Sequence, residues 1–208
     1  MNRLLNVLLF GLVLLVSACG RSELGYQPQK PIQSIRQENH FVGANHCKAC
    51  HQNQFQDWKG SHHDQAMKIA DSTSIAGDFN NAVYESNGVK YSFFKKNEKY
   101  YVNTQDGDGL YKDFEIVHTF GVSPLQQYLV EFPNGSYQCL QVAWDIEKGQ
   151  WFDLQSDLKI ATDEWLHWTR GAMRWNTMCA DCHSTDLRKN YDAKSDTYQT
   201  TYSEINVA

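Results

Sequence analysis

Two pentapeptides, Cys47-Lys48-Ala49-Cys50-His51 and Cys179-Ala180-Asp181-Cys182-His183, share the pattern C-x-x-C-H and lie more than half the chain apart. They constrain the fold more than any other feature, because each asks for a helical turn that sets two thiols and an imidazole on one side. Thiols at that spacing can form thioethers to the two vinyl groups of one haem, and the next residue sets an imidazole beneath the iron. Covalent attachment plus a proximal histidine holds such a cofactor in a chain too small to wrap it. The pattern therefore reads as two haem c groups. Cys47, Cys50, Cys179 and Cys182 are the attachment points, and His51 and His183 are the proximal iron ligands.

Three other readings fit the cysteines less well. A thioredoxin-like pair would sit after a strand in a βαβ pattern and needs no histidine after it, least of all twice. A structural zinc site draws its ligands from tighter clusters than these two motifs offer. Disulfides within each motif would bridge poorly, since cysteines three apart on a helical turn have unsuitable geometry.

The N-terminus points to export. Arg3 precedes an apolar run from Leu4 to Val16, long enough for a signal-peptide core and short for a bilayer span. The run ends in Val16-Ser17-Ala18-Cys19, which resembles the lipobox of bacterial lipoproteins and implies cleavage after residue 18 and a diacylglycerol anchor on Cys19. Gly20 and Arg21 follow, without the aspartate that retains such proteins at the inner membrane, which favours the outer membrane and the periplasmic side. Ordinary secretion with loss of Cys19 is the alternative. Residues 19–41, rich in Gln, Ser and Asn with two of the chain's prolines, read as a flexible tether. Covalent haem attachment takes place outside the cytoplasmic membrane, so export and the two motifs agree.

The net charge of −5 argues against a nucleic-acid partner, which calls for a basic face to displace counterions from phosphate. Charged residues make up 21% and aromatics 13%, a balance that excludes intrinsic disorder and supports a packed core over residues 42–208. Within that span, Phe55, Trp58, Ala66, Met67 and Ile69 fall near helical spacing. Short aromatic and β-branched runs then follow, separated by Asn87-Gly88, Lys96-Asn97-Glu98, Asp106-Gly107-Asp108-Gly109 and Pro133-Asn134-Gly135. These are hairpin turn signals. The expectation is an α+β fold in which helical haem-bearing segments, 44–72 and 162–190, flank an antiparallel β meander over 83–154.

The segments Phe55-Gln56-Asp57-Trp58-Lys59-Gly60-Ser61-His62-His63-Asp64-Gln65-Ala66-Met67, His118-Thr119-Phe120-Gly121-Val122, Pro124 to Leu129, Leu166-His167-Trp168-Thr169 and Trp175 to Thr185 together resemble the multihaem cytochrome c-552/4 family. The resemblance runs from about residue 42 to the end. It implies an exported multihaem c-type cytochrome, a type often carrying C-terminal tetratricopeptide repeats. In that family a segment like Tyr202-Ser203-Glu204-Ile205-Asn206-Val207 leads into a further C-x-x-C-H motif, so the chain is expected to be the front portion of a longer protein.

Each haem iron needs a sixth ligand, for low-spin electron transfer, or an open position, for chemistry. Candidates are His62, His63, His118 and His167, with Met67 a weaker choice because an apolar helix position is more often core. The family resemblance favours one of His62 and His63; His118 and His167 stand open between ligand and buried, hydrogen-bonded histidine. His40 and His46 read as solvated or as partners behind an iron ligand, Met178 as constrained by the neighbouring thioether, and Cys139, in a strand pattern, as a buried free thiol. The function most directly implied is single-electron transfer between redox partner proteins, with no catalytic residues assigned. Two alternatives are a reductase of a small nitrogen or sulfur oxyanion, for which Arg170 and Arg174 are the nearby cations, and a haem-bearing adaptor module of a longer protein.

Overall fold

The structure is a computed structural model that describes residues 41–208. The expected signal peptide, the expected anchor residue Cys19, His40 and nearly all of the expected tether lie outside the described residues.

Antiparallel β structure dominates. The strands are β1 Met67–Ile69, β2 Ala82–Ser86, β3 Val89–Lys96, β4 Lys99–Gln105, β5 Tyr111–Phe120, β6 Leu125–Glu131, β7 Tyr137–Cys139, β8 Val142–Asp145 and β9 Gln150–Asp153. They form one sheet in the order β2-β3-β4-β5-β6-β8-β9, with β1 paired to β5 and β7 to β6. The turns explain the register. Asn87 (φ 52°) starts the β2–β3 hairpin, and Asn97 (φ 52°) with Glu98 (φ 63°) makes the β3–β4 hairpin, left-handed conformations that match the twist of the strands. The sheet curls until its ends meet, where the Asp153 amide donates to the Tyr84 hydroxyl at 3.1 Å.

Aromatic side chains fill the inside of this curl. Phe79, in the loop between β1 and β2, is 1% exposed. Its ring sits edge-on to Phe93, Tyr100, Tyr128 and Trp151 at centroid distances of 5.1 to 5.6 Å. Tyr128 ties this plug to the sheet, accepting from the Gly77 amide and donating to Gln126 Oε1, while Gln126 Nε2 donates to the Ser74 carbonyl. A buried aromatic core with its polar tips paired gives the sheet one strongly preferred register.

The expected α+β fold, with helical haem segments on either side of the meander, is not what forms. Among the described residues helices are confined to short pieces: α1 Ala44–Cys47, α2 Gln52–Trp58, α3 Trp175–Met178 and α4 Ala180–His183, with a 3₁₀ turn at Gly171–Met173. Over 44–72 the helix stops because Gly60 takes φ 81°. The remaining apolar residues then join the sheet: Met67, 2% exposed, pairs with Phe120, while Ile69 points outward at 66% exposure. Over 162–174, Glu164, His167 and Arg170 each donate three residues back, a run of successive hydrogen-bonded turns in place of an α-helix. Trp168 accounts for that path, since its ring is buried in the aromatic core and its indole N–H donates to the Gln105 carbonyl at 2.8 Å. After α4, the short strands β10 Tyr191–Asp192 and β11 Thr197–Tyr198 form a separate hairpin. Among the described residues no helix is long and apolar enough to cross a membrane.

Candidate functional site

Both C-x-x-C-H motifs fold into the same turn. In the first, the amides of Cys50 and His51 donate to the Cys47 carbonyl at 3.2 and 2.8 Å; in the second, those of Cys182 and His183 donate to the Cys179 carbonyl at 3.1 and 3.2 Å. Each motif therefore sets its two cysteines and its histidine on one side of a helical turn. All four motif thiols are free. Among the described residues no three His, Cys, Asp or Glu side chains converge on one ion position, so the two motifs do not combine into a zinc-type site.

The surroundings of the motifs differ. Cys47, Cys50 and His51 are exposed. Cys47 and His51 line an almost wholly apolar cleft of about 170 Å³ with Ala44, Gln54, Phe55, Trp58 and Ala208. The second motif is more enclosed. Cys179 is half-buried, and desolvation pushes its thiol pKa up, with the neighbouring Cys182 adding to the effect. The His183 ring meets the Phe120 ring edge-on at 5.3 Å. Burial lowers its pKa, partly countered by the Ala66 carbonyl, which favours the protonated ring. Its Nδ1 is buried without a hydrogen-bond partner. Free thiols beside an apolar cleft, and a neutral, under-satisfied imidazole beside a second thiol pair, fit the chemistry of a covalently held haem.

The second motif docks on the outer face of the sheet. Phe120, Leu129, Met67 and Cys139 share that face and form a second apolar cluster with Trp175 and Ala180, with Cys179 packed against it. Asn176, fully buried, locks the contact: its Oδ1 accepts from the Tyr137 amide at 2.7 Å, and its Nδ2 donates to Thr200 Oγ1 at 2.8 Å and the Gly135 carbonyl at 3.3 Å. The Gln138 amide, assigned with its nitrogen toward the carbonyls of Trp168, Arg170 and Met173, holds the approach to α3.

A strap made by residues 204–208 joins the two motifs. Glu204 accepts from the Ala44 amide through Oε1 at 3.0 Å and from the Thr185 amide through its carbonyl at 3.0 Å. Trp58 Nε1 donates to the Val207 carbonyl at 2.7 Å, and the Val207 amide to the His63 carbonyl at 3.2 Å. Thr185 Oγ1 closes the other side, donating to the Asn206 carbonyl and accepting from the Ala208 amide. Glu204, Asn206, Val207, Thr185 and Asn176 were not picked out as site residues by the sequence. Their partners lie far away in the chain, and no local pattern marks them.

The candidate sixth ligands separate by position. His62 and His63 are exposed on a turn directly after α2, beside the strap. His118 lies on the outer face of β5, on the same side as Phe120, with its ring 5.5 Å from Tyr137. Its Nδ1 is buried without a partner, and burial alone lowers its pKa to about 4. His167 is 7% exposed, with Nδ1 2.8 Å from Thr169 Oγ1. It lines a small cavity of about 40 Å³ with Asp153, Gln141 and Trp168, a lining that includes no residue of either motif. Met67 is core, His46 and Met178 are exposed, and Cys139 is a buried free thiol, its pKa raised by desolvation and by nearby Cys179. Arg170 and Arg174 are occupied in holding the chain: Arg170 donates to the carbonyls of Thr162 and Gly107, and Arg174 to the Tyr198 hydroxyl.

Comparison with known proteins agrees with this geometry. The model of a family described as cytochrome c554 and c-prime matches residues 46–104, which take in the first motif, the His62-His63 turn and strands β1 to β4. No curated protein matches the chain. Among solved structures, the outer cell wall cytochrome OcwA matches with a TM-score of 0.50 and 19% identity, over 81% of this chain and 30% of that one, which shows a shared fold. The family match supports a c-type cytochrome, the class of protein that holds haem c covalently.

Proposed function

We propose that this chain is an exported, lipid-anchored c-type cytochrome that passes single electrons through two covalently bound haems to and from redox partner proteins. The carrying observation is the repetition of one turn geometry at two places, each offering two free thiols and an imidazole on the same side. Bound haem c supplies a reversible one-electron iron couple. Cys47 and Cys50, and Cys179 and Cys182, would hold the two haems covalently, His51 and His183 would each bind an iron, and the apolar side chains around them would limit access of water. Phe55 and Trp58 flank the first position, and Phe120, Leu129 and Trp175 back the second. The strap bonds to chain next to both motifs, at Ala44 and at Thr185. His62, His63 and His118 are the sixth-ligand candidates; His167 lines a cavity that includes no residue of either motif.

The test is haem stoichiometry and spin state in protein produced with its export signal. Two covalent haems per chain and low-spin ferric EPR signals are expected. Cys47→Ala and Cys182→Ala should each cost the stable attachment of one haem, and full haem retention after denaturation in either variant would overturn the assignment. Anchoring at Cys19 predicts a lipid-modified N-terminus by mass spectrometry, lost in Cys19→Ser.

A further inference from the structure

The rings of His62 and His63 are exposed, so neither can be aimed by side-chain packing; whatever orients them acts through their main chain. That main chain is held with unusual density at one point. The His63 carbonyl accepts from the amides of Ala66 (3.1 Å) and Val207 (3.2 Å). The next residue, Asp64, is 9% exposed, and its carboxylate accepts from the Gly60 amide (2.8 Å), Lys59 Nζ (3.0 Å) and Asn206 Nδ2 (3.0 Å). Asn206 Nδ2 also donates to the Asp64 carbonyl at 3.0 Å, so one amide grips both the main chain and the side chain of the residue that follows the histidines. Asn206 sits in the strap that bonds to Thr185, two residues beyond His183. The His62-His63 turn is thus referenced to the second motif through the strap, by the Asn206 side chain and the Val207 amide.

We propose that Asp64 and Asn206 are positioning residues: together they fix the His62-His63 turn so that one of these imidazoles is presented as a sixth haem ligand. This rests on the reading that the chain binds haem at its two motifs. An exposed imidazole on an unrestrained turn samples many orientations and binds iron with an affinity reduced by the fraction of time it is correctly placed. Restraint of the turn by charge-assisted hydrogen bonds removes that reduction, and loss of one such bond is worth roughly tenfold in the displaced population.

The experiment uses the haem-loaded protein and three variants. Asn206→Asp replaces the donor amide by a carboxylate facing Asp64, and Asn206 Oδ1, already buried without a partner, gains no donor from the change. Asp64→Asn keeps the shape and removes the charge. The double variant exchanges the two side chains, so an amide at position 64 can donate to a carboxylate at 206. The single variants are expected to retain two haems per chain while their ferric high-spin fraction rises by roughly tenfold. The exchanged pair should lie closer to the wild type than either single variant. A merely structural role would lower the melting temperature and leave the spin state unchanged.

Wild-type spectra in both single variants at full haem loading would overturn the proposal. So would a high-spin rise that the exchange does not reduce. Should Asn206→Asp not accumulate, Asp64→Asn and Asn206→Ala decide by the same reading. A wild type without covalent haem would instead refute the cytochrome reading itself.

Discussion

Asn176 gives the sharpest test of how the second motif is held. It precedes Cys179 by three residues, is fully buried, and makes three hydrogen bonds: from the Tyr137 amide at 2.7 Å, to Thr200 Oγ1 at 2.8 Å and to the Gly135 carbonyl at 3.3 Å. Asn176→Ala deletes all three in a site too enclosed for water to replace them freely. At a net value of about 1 kcal/mol for each bond, with the Tyr137 amide left unpaired, the loss is about 3 kcal/mol. With a urea dependence of about 2 kcal/mol per molar for a domain of this size, the unfolding midpoint should fall by about 1.5 M at unchanged slope. The assay is urea unfolding followed by far-UV circular dichroism on protein carrying its haems, so that attachment is not itself the variable. A midpoint shift below about 0.3 M would refute the reasoning, because it would mean that the amide is not the lock between α3, β7 and the 197–201 segment.

Three further outcomes follow from the same structure. With its ring not bound to iron, burial lowers the His118 pKa from 6.5 to about 4, so the folded chain binds that proton less readily than the unfolded chain. Stability is then complete above about pH 6.5 and falls by on the order of 2 kcal/mol as pH drops toward 4; His118→Phe should flatten this slope in acid-titration unfolding. Cys139 is 2% exposed with its thiol pKa raised by burial, so in haem-loaded protein it should resist iodoacetamide until denaturant is added. Rapid labelling of the native protein at Cys139 would contradict its placement. Gly135 has φ 75°, and a Cβ there would fall 2.1 Å from the Tyr198 carbonyl oxygen. Gly135→Ala should therefore lower the melting temperature by roughly 6–12 °C, the equivalent of about 3 kcal/mol for a domain of this size.

The turn at each C-x-x-C-H motif was legible in the sequence because its signal is local. C-x-x-C-H needs only one helical turn, and Cys47–His51 and Cys179–His183 each make that turn from their own main chain. The β strands were legible for a similar reason: Asn87-Gly88 and Asn97-Glu98 adopt the left-handed conformations that close a hairpin whatever surrounds them. What the sequence could not show was the fate of its apolar residues outside the strands. Phe55, Trp58, Ala66, Met67 and Ile69 sit near helical spacing, yet no one surface receives them. Phe55 and Trp58 line the cleft at the first motif, Met67 packs with Phe120 and Leu129 on the outer sheet face, and Ile69 meets solvent. Periodicity registers that a residue is apolar; it does not tell which of several surfaces will cover it. Trp168 shows the same limit. Its place in the aromatic core is decided by Phe114 on β5 and Phe132 just after β6, and the successive turns around it follow from that tertiary demand.

The arrangement also explains why a β scaffold suits motifs that need so little structure of their own. A helical turn of five residues is unstable alone, since the first turn fixes several dihedral angles for one hydrogen bond. Each motif must borrow its rigidity. The second takes it from the outer face of β1, β5, β6 and β7 through Trp175, Asn176 and Ala180. The first has almost no buried surface and takes it from the strap, through Glu204 at Ala44 and Val207 at Trp58. The first motif should therefore be the more sensitive of the two to changes in residues 204–208, although it lies at the opposite end of the described chain. Glu204→Gln keeps an acceptor for the Ala44 amide and should leave the first motif in place. Glu204→Leu removes that acceptor and should raise amide hydrogen exchange at residues 44–58 while leaving 175–183 protected. Equal loss of protection at both motifs would show that they share one cooperative unit and that the strap is not the separate support of the first.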